Sequence, residues 1–128
     1  MGIDGRQVLE IRGASQILDA LEQSGIVFEG GDSQIAARFF GPHNLHVIHR
    51  SPRHLVVSYE FRNLPVYEYL TQLLVAHPTV WIKNDYTTEE GYCGLWIGQM
   101  YNGSPSIQEL EWTELAQEEQ EYREDFSV

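Results

Sequence analysis

The stretch His54-Leu55-Val56-Val57-Ser58-Tyr59-Glu60-Phe61 alternates from end to end. Successive side chains of a strand leave opposite faces, so Leu55, Val57, Tyr59 and Phe61 point one way and His54, Val56, Ser58 and Glu60 the other. The chain must therefore supply a half-covered sheet and something apolar to lie against it. Leu45 to His49 precedes this strand across Ser51-Pro52-Arg53, whose proline presets the backbone for a turn, so the two segments read as a hairpin.

The remaining elements follow from periodicity and punctuation. Gln7 to Arg12 alternates in part and stops at Gly13, which reads as a strand. Ser15 to Ser24 places Ile17, Leu18 and Leu21 on one helical face and ends at Gly25. Gln34 to Phe40 reads as a short strand closed by Gly41-Pro42, although whether residues 26–40 add a strand stays open. Pro65 stands where a helix can start, Val66, Tyr69, Leu70, Leu73 and Leu74 mark its buried face, and Pro78 ends it. Thr79 to Tyr86 and Tyr92 to Tyr101 return as strands, with Asn102-Gly103 breaking the second. Ser106-Ile107-Gln108-Glu109 has the form of a capping box, which predicts a helix from about Ile107 to Arg123.

This order predicts an α+β fold, a ferredoxin-like split βαββαβ sandwich with an extra strand and an acidic C-terminal helix. The division is a ferredoxin-like α+β domain over 1–105 and an acidic helix over 106–128, packed on it or projecting from it. A chain of 128 residues is a single domain, or one domain with an arm.

Charge sharpens that division. Nineteen acids against eight bases give a net charge of −11. Residues 107–128 hold eight acids and the single base Arg123, a net −7, which leaves −4 for the first 106 residues. Between Ala36 and Lys83 five bases face only Glu60 and Glu68, and all five histidines lie there. An acidic balance argues against unaided binding to nucleic acid or an anionic membrane and favours a basic protein partner. The lone Cys93 excludes an internal disulfide and a Cys-x-x-Cys zinc framework. With no signal-peptide pattern and no membrane-length apolar run, the expected location is the cytoplasm.

Several of these pieces together resemble the YubB-type ferredoxin-like domain family of plasmid and phage proteins. They are Leu9-Glu10-Ile11-Arg12-Gly13, the aromatic strand Val57 to Phe61, Pro65, Pro78, and the run from Tyr86 through Glu89, Glu90, Gly91 and Tyr92 to Gly94. The similarity spans roughly residues 7–103 and rests on turn glycines and strand aromatics. It implies a ferredoxin-like fold and a mobile-element setting, and it carries no catalytic residues.

Candidate sites are few. His43, His46 and His49 form the one metal-like pattern, but residues three apart on a strand face opposite sides and no cysteine or carboxylate completes the set. They are weak metal candidates, and no cofactor is expected. Cys93 reads as a small buried hydrophobe rather than a nucleophile. If the aliphatic rows of the last two strands face the helices, Trp81, Tyr92, Trp96 and Met100 share the opposite sheet face. Such a face serves base stacking in some folds and protein docking in others.

The sequence thus predicts a non-enzymatic binding protein of a mobile element. It would be an acidic inhibitor, anti-CRISPR-like in its sharpest form, docking on a basic surface of a nucleic-acid-handling or defence complex. The expected partner-binding residues are Trp81, Tyr92 and Trp96 with Glu111, Glu114, Glu118, Glu119, Glu121, Glu124 and Asp125. A homodimer through the aromatic face is compatible with this reading. A small metal- or nucleic-acid-binding protein, or an enzyme working from the histidine-bearing hairpin, is the alternative.

Overall fold

The computed structural model describes residues 4–62 and 67–113. In chain order the elements are β1 (Asp4–Arg12), α1 (Ser15–Ser24), α2 (Ser33–Phe39), β2 (His46–Ser51), β3 (His54–Arg62), α3 (Tyr67–Ala76), β4 (Trp81–Thr88), β5 (Tyr92–Tyr101) and β6 (Ser104–Thr113). All the strands join one six-stranded sheet in the order β2-β3-β1-β4-β5-β6. Every neighbouring pair is antiparallel. The architecture is a six-stranded antiparallel sheet with three helices. It replaces the expected ferredoxin-like βαββαβ sandwich with an acidic C-terminal helix.

The chief departure is β6. Asn102 and Gly103 both take positive φ, 50° and 82°, the requirement of a two-residue hairpin turn whose twist matches its strands. Tyr101 pairs with Ser104, and the ladder runs on to Tyr92 against Thr113. The capping-box residues Ser106 and Glu109 therefore lie inside a strand, and the boundary drawn between 105 and 106 falls within β6. The predicted helix beyond residue 113 lies outside the described residues. The second departure is α2, where a strand was expected. Asp32 caps it, its carboxylate accepting from the amides of Gln34 (2.9 Å) and Ile35 (3.2 Å). The Asp32 amide itself donates to Gln72 Oε1 of α3 at 2.8 Å, which fixes the helix start to its neighbour.

The core lies between one sheet face and the helices. Register places Leu9 between Val57 and Asn84, and Ile11 between Leu55 and Ile82, all buried. Against them α1 sets Leu18 and Leu21, and α3 sets Tyr69, Leu70, Leu73 and Leu74. Each aliphatic side chain so buried contributes roughly 1.5–3 kcal/mol. Phe40, just past α2, stacks on Tyr69 at 4.6 Å and tilts on Tyr59 at 4.9 Å, bridging α3 and β3. Gly25 ends α1 at φ 65°, and a Cβ there would lie 2.2 Å from the Gly41 carbonyl carbon. Glycine is the residue for both the left-handed turn and the close crossing. No helix among the described residues is long and apolar enough to cross a membrane.

Candidate functional site

The site begins with glycines. On β5 the row beneath the helices is Gly94, Trp96 and Gly98, with Leu95 and Ile97 on the other side of the sheet. Tyr86 of β4 pairs with Gly94, and its ring fills the space a side chain there would need: a Cβ would fall 1.8 Å from it. At Gly98 a Cβ would meet the Trp96 ring at 2.5 Å and Leu74 at 2.8 Å. The two glycines thus let two large rings lie flat on the strand. Trp96 is 1% exposed, and Tyr67 at the start of α3 stacks over it at 6.1 Å with the planes 24° apart.

The edge strand then adds charge. Glu109 pairs with Trp96 and Glu111 with Gly94, so both carboxylates stand on the aromatic side, exposed. The Tyr86 hydroxyl donates to Glu111. Burial pushes the Tyr86 phenol up, and the Glu111 charge and hydrogen bond push it further. Tyr67 is also raised, first by burial and then by Tyr86, Glu109, Glu111 and Asp85. Both phenols stay protonated near neutrality, so they offer ring faces and hydroxyls while the carboxylates supply the charge. The buried Tyr67 hydroxyl has no hydrogen-bond partner among the described residues.

Below this notch lies a buried polar triad across the three central strands. Asn84 Nδ2 donates to Gln7 Oε1 at 2.7 Å, and the Tyr59 hydroxyl lies 2.9 Å from Gln7 Oε1 and 2.8 Å from Asn84 Oδ1. One hydroxyl proton serves only one of those two acceptors at a time. Gln7 Nε2 is buried without a partner among the described residues. Such a network ties β1, β3 and β4 in a single register, since a slip of one residue would break every bond in it.

The expected aromatic face is not assembled. Trp81 lies on the uncovered side, paired with Gln99, with the Arg12 guanidinium 5.3 Å from its ring centre. Trp96 and Met100 lie on the helix side, Met100 packed against the core. Tyr92 begins β5 on that same side, 49% exposed. The physical cause is register: the aliphatic row of β4 faces the helices and that of β5 does not. Glu111 stands in the notch, whereas Glu114, Glu118, Glu119, Glu121, Glu124 and Asp125 lie outside the described residues. Cys93 is buried at 8% exposure.

The histidines also differ from expectation. A bulge between Val47 and His49 shifts the β2 register, so His46 pairs with Ser58 and His49 with Val56. Both then share the uncovered side, where the His49 and His54 rings lie 5.3 Å apart. His43 stays in the preceding turn, exposed. Among the described residues no group of three or more His, Cys, Asp or Glu side chains is placed to hold a metal ion.

Tyr67, Tyr86 and Glu109 join the site without having been singled out in the sequence. The signal was present in Gly94 and Gly98: glycine inside a strand marks a place where another group must come close. Comparison with protein-family models, curated proteins and solved structures yields no match to this chain.

Proposed function

We propose that the chain is a non-enzymatic binding protein that docks on a basic protein surface through the edge strand β6. One observation carries this reading. Glu109 and Glu111 stand side by side on an exposed edge, beside the rings of Tyr86 and of Tyr67, which covers the buried Trp96. An aromatic ring and a carboxylate together fit a guanidinium or ammonium group, through cation–π attraction and charge-assisted hydrogen bonds. Six more acids follow β6 in the sequence, from Glu114 to Asp125, and add to the chain's negative charge. Such a field speeds encounter with a basic partner and weakens with salt.

The partner we infer is a nucleic-acid-handling protein of a host or defence system, bound in the cytoplasm by an inhibitor that a phage or plasmid encodes. The acidity and the resemblance over residues 7–103 support that version. An arginine-rich peptide is the direct probe. Its addition should shift the amide resonances of Tyr67, Tyr86, Glu109 and Glu111, and the shifts should shrink as salt rises. The pair Glu109→Gln and Glu111→Gln should weaken binding about tenfold or more, the loss of one or two charge-assisted contacts. An unchanged affinity in that variant removes the edge strand from the interaction.

A further inference from the structure

We propose that the uncovered face of the sheet is a homodimer interface, two copies packing face to face around Leu95, Ile97 and Leu110. An antiparallel sheet with one solvated face should be polar on that side, and β1 and β4 are mainly so, presenting Glu10, Arg12, Lys83 and Asp85 there beside Val8 and Trp81. β5 is not. Its outward row is Cys93, Leu95 and Ile97, while its inward row already carries Trp96, so it is apolar on both sides as a strand covered twice would be. Leu110 of β6 sits directly opposite Leu95 and is 62% exposed. All three helices pack on the other face; along this strip Leu110 is exposed, Leu95 and Ile97 are half-buried, and Cys93 is buried.

Charge selects the occupant. Among the described side chains of the face, Arg6, Arg12 and Lys83 balance Glu10, Glu60 and Asp85. Arg12 pairs with Glu10 at 3.2 Å and Lys83 with Asp85 at 3.8 Å. A balanced face offers little to a phosphate backbone and little to a basic protein, whereas two balanced faces meet without net repulsion across the contact. Size agrees as well. Strand spacings of about 4.8 Å and a rise of about 3.3 Å per residue give a face of roughly 700 Å², close to the ~800 Å² per partner of a stable interface. Two such faces would stack about 10 Å apart as a sheet-on-sheet sandwich. The Glu109–Glu111 notch lies on the opposite side of β6 and stays open in the dimer.

Sedimentation equilibrium on the full chain tests this. The expected mass is twice the 14.7 kDa of one chain, falling to the single-chain mass in Leu110→Glu. Leu110 is exposed in the single chain, so the variant keeps its fold, which circular dichroism checks. Ile97→Gln is the second variant and should also halve the mass. A wild-type monomer at every concentration overturns the proposal. A dimer that both variants leave intact overturns it too, because association then uses another surface. A monomer whose Leu95 and Leu110 amides shift with an arginine-rich peptide, or with a single-stranded oligonucleotide, gives the face to that partner and overturns it equally.

Discussion

Glu10 shows how a single side chain on the uncovered face is balanced. Its Oε1 lies 2.6 Å from His54 Nε2 and 3.2 Å from the Arg12 guanidinium. Burial pushes the carboxyl up, but the hydrogen bonds and charges of His54 and Arg12 outweigh it and hold the group below its ordinary 4.5. A carboxyl depressed by folding stabilises the chain above its unfolded value, and that contribution is lost as pH falls through the folded value. Glu10→Gln should therefore lower the urea midpoint at neutral pH, with the gap to wild type closing as pH falls below 4.5 and through the depressed folded value. A gap that persists unchanged into acid would assign the loss to packing instead. None of this was legible in the sequence. Glu10 and His54 are far apart in the chain, and only the β1–β3 pairing makes them near neighbours.

At the scale of elements, the β5–β6 hairpin depends on its turn. Gly103 holds φ 82° and a Cβ there would meet nothing, so its cost to substitution is purely conformational. Gly103→Ala should destabilise the chain by about 1–2 kcal/mol, and Gly103→Asn by less, because Asn tolerates the left-handed region. Chemical denaturation measures both, and equal losses would contradict the turn argument. The same element shows why part of the fold could be read and part could not. Ser15–Ser24 and Tyr92–Tyr101 were bounded correctly because periodicity and flanking glycines agreed. Over Ser106 to Thr113 two signals competed. The capping box suggested a helix, while Ile107, Glu109 and Glu111 alternate with Gln108, Leu110 and Trp112 as a strand requires. Asn102-Gly103 decides between them: its sequence reads as a break, and its two positive φ angles make it a reversal. On β5 the sequence pattern points the aliphatic row Cys93, Leu95 and Ile97 at the helices, whereas the structure turns that row outward. The choice fell to the glycine row because Tyr86 and Trp96 needed the room, a fact held in the cross-strand register and not in β5 itself. The notch was half visible in the same way: Trp96 and Glu111 stood out, while Tyr67, Tyr86 and Glu109 gained meaning only once β4, β5, β6 and α3 were adjacent.

The whole molecule is a −11 particle whose described ion pairs are few and mostly at the surface. Exposed pairs contribute little, while an excess of one sign repels itself in the compact state. Added salt should therefore raise the urea midpoint while it weakens arginine-peptide binding. Denaturation and titration in the same salt series check the two opposite trends, and a midpoint that falls with salt would mean that attractive pairs dominate. A different consequence follows from the place of β1. It occupies the middle of the sheet, between β3 and β4, yet precedes both in the chain, with Gly5 pairing to Phe61 on one side and Thr88 on the other. During synthesis the β5–β6 hairpin can close in about 1–10 μs once its residues emerge. Among the described strands β1 is made first: Leu9 and Ile11 gain a partner when β3 emerges, but they wait for their second flanking strand until β4 has left the ribosome. The unfinished chain, rather than the finished one, is then the form most exposed to aggregation and to the proteases and chaperones that meet nascent polypeptides.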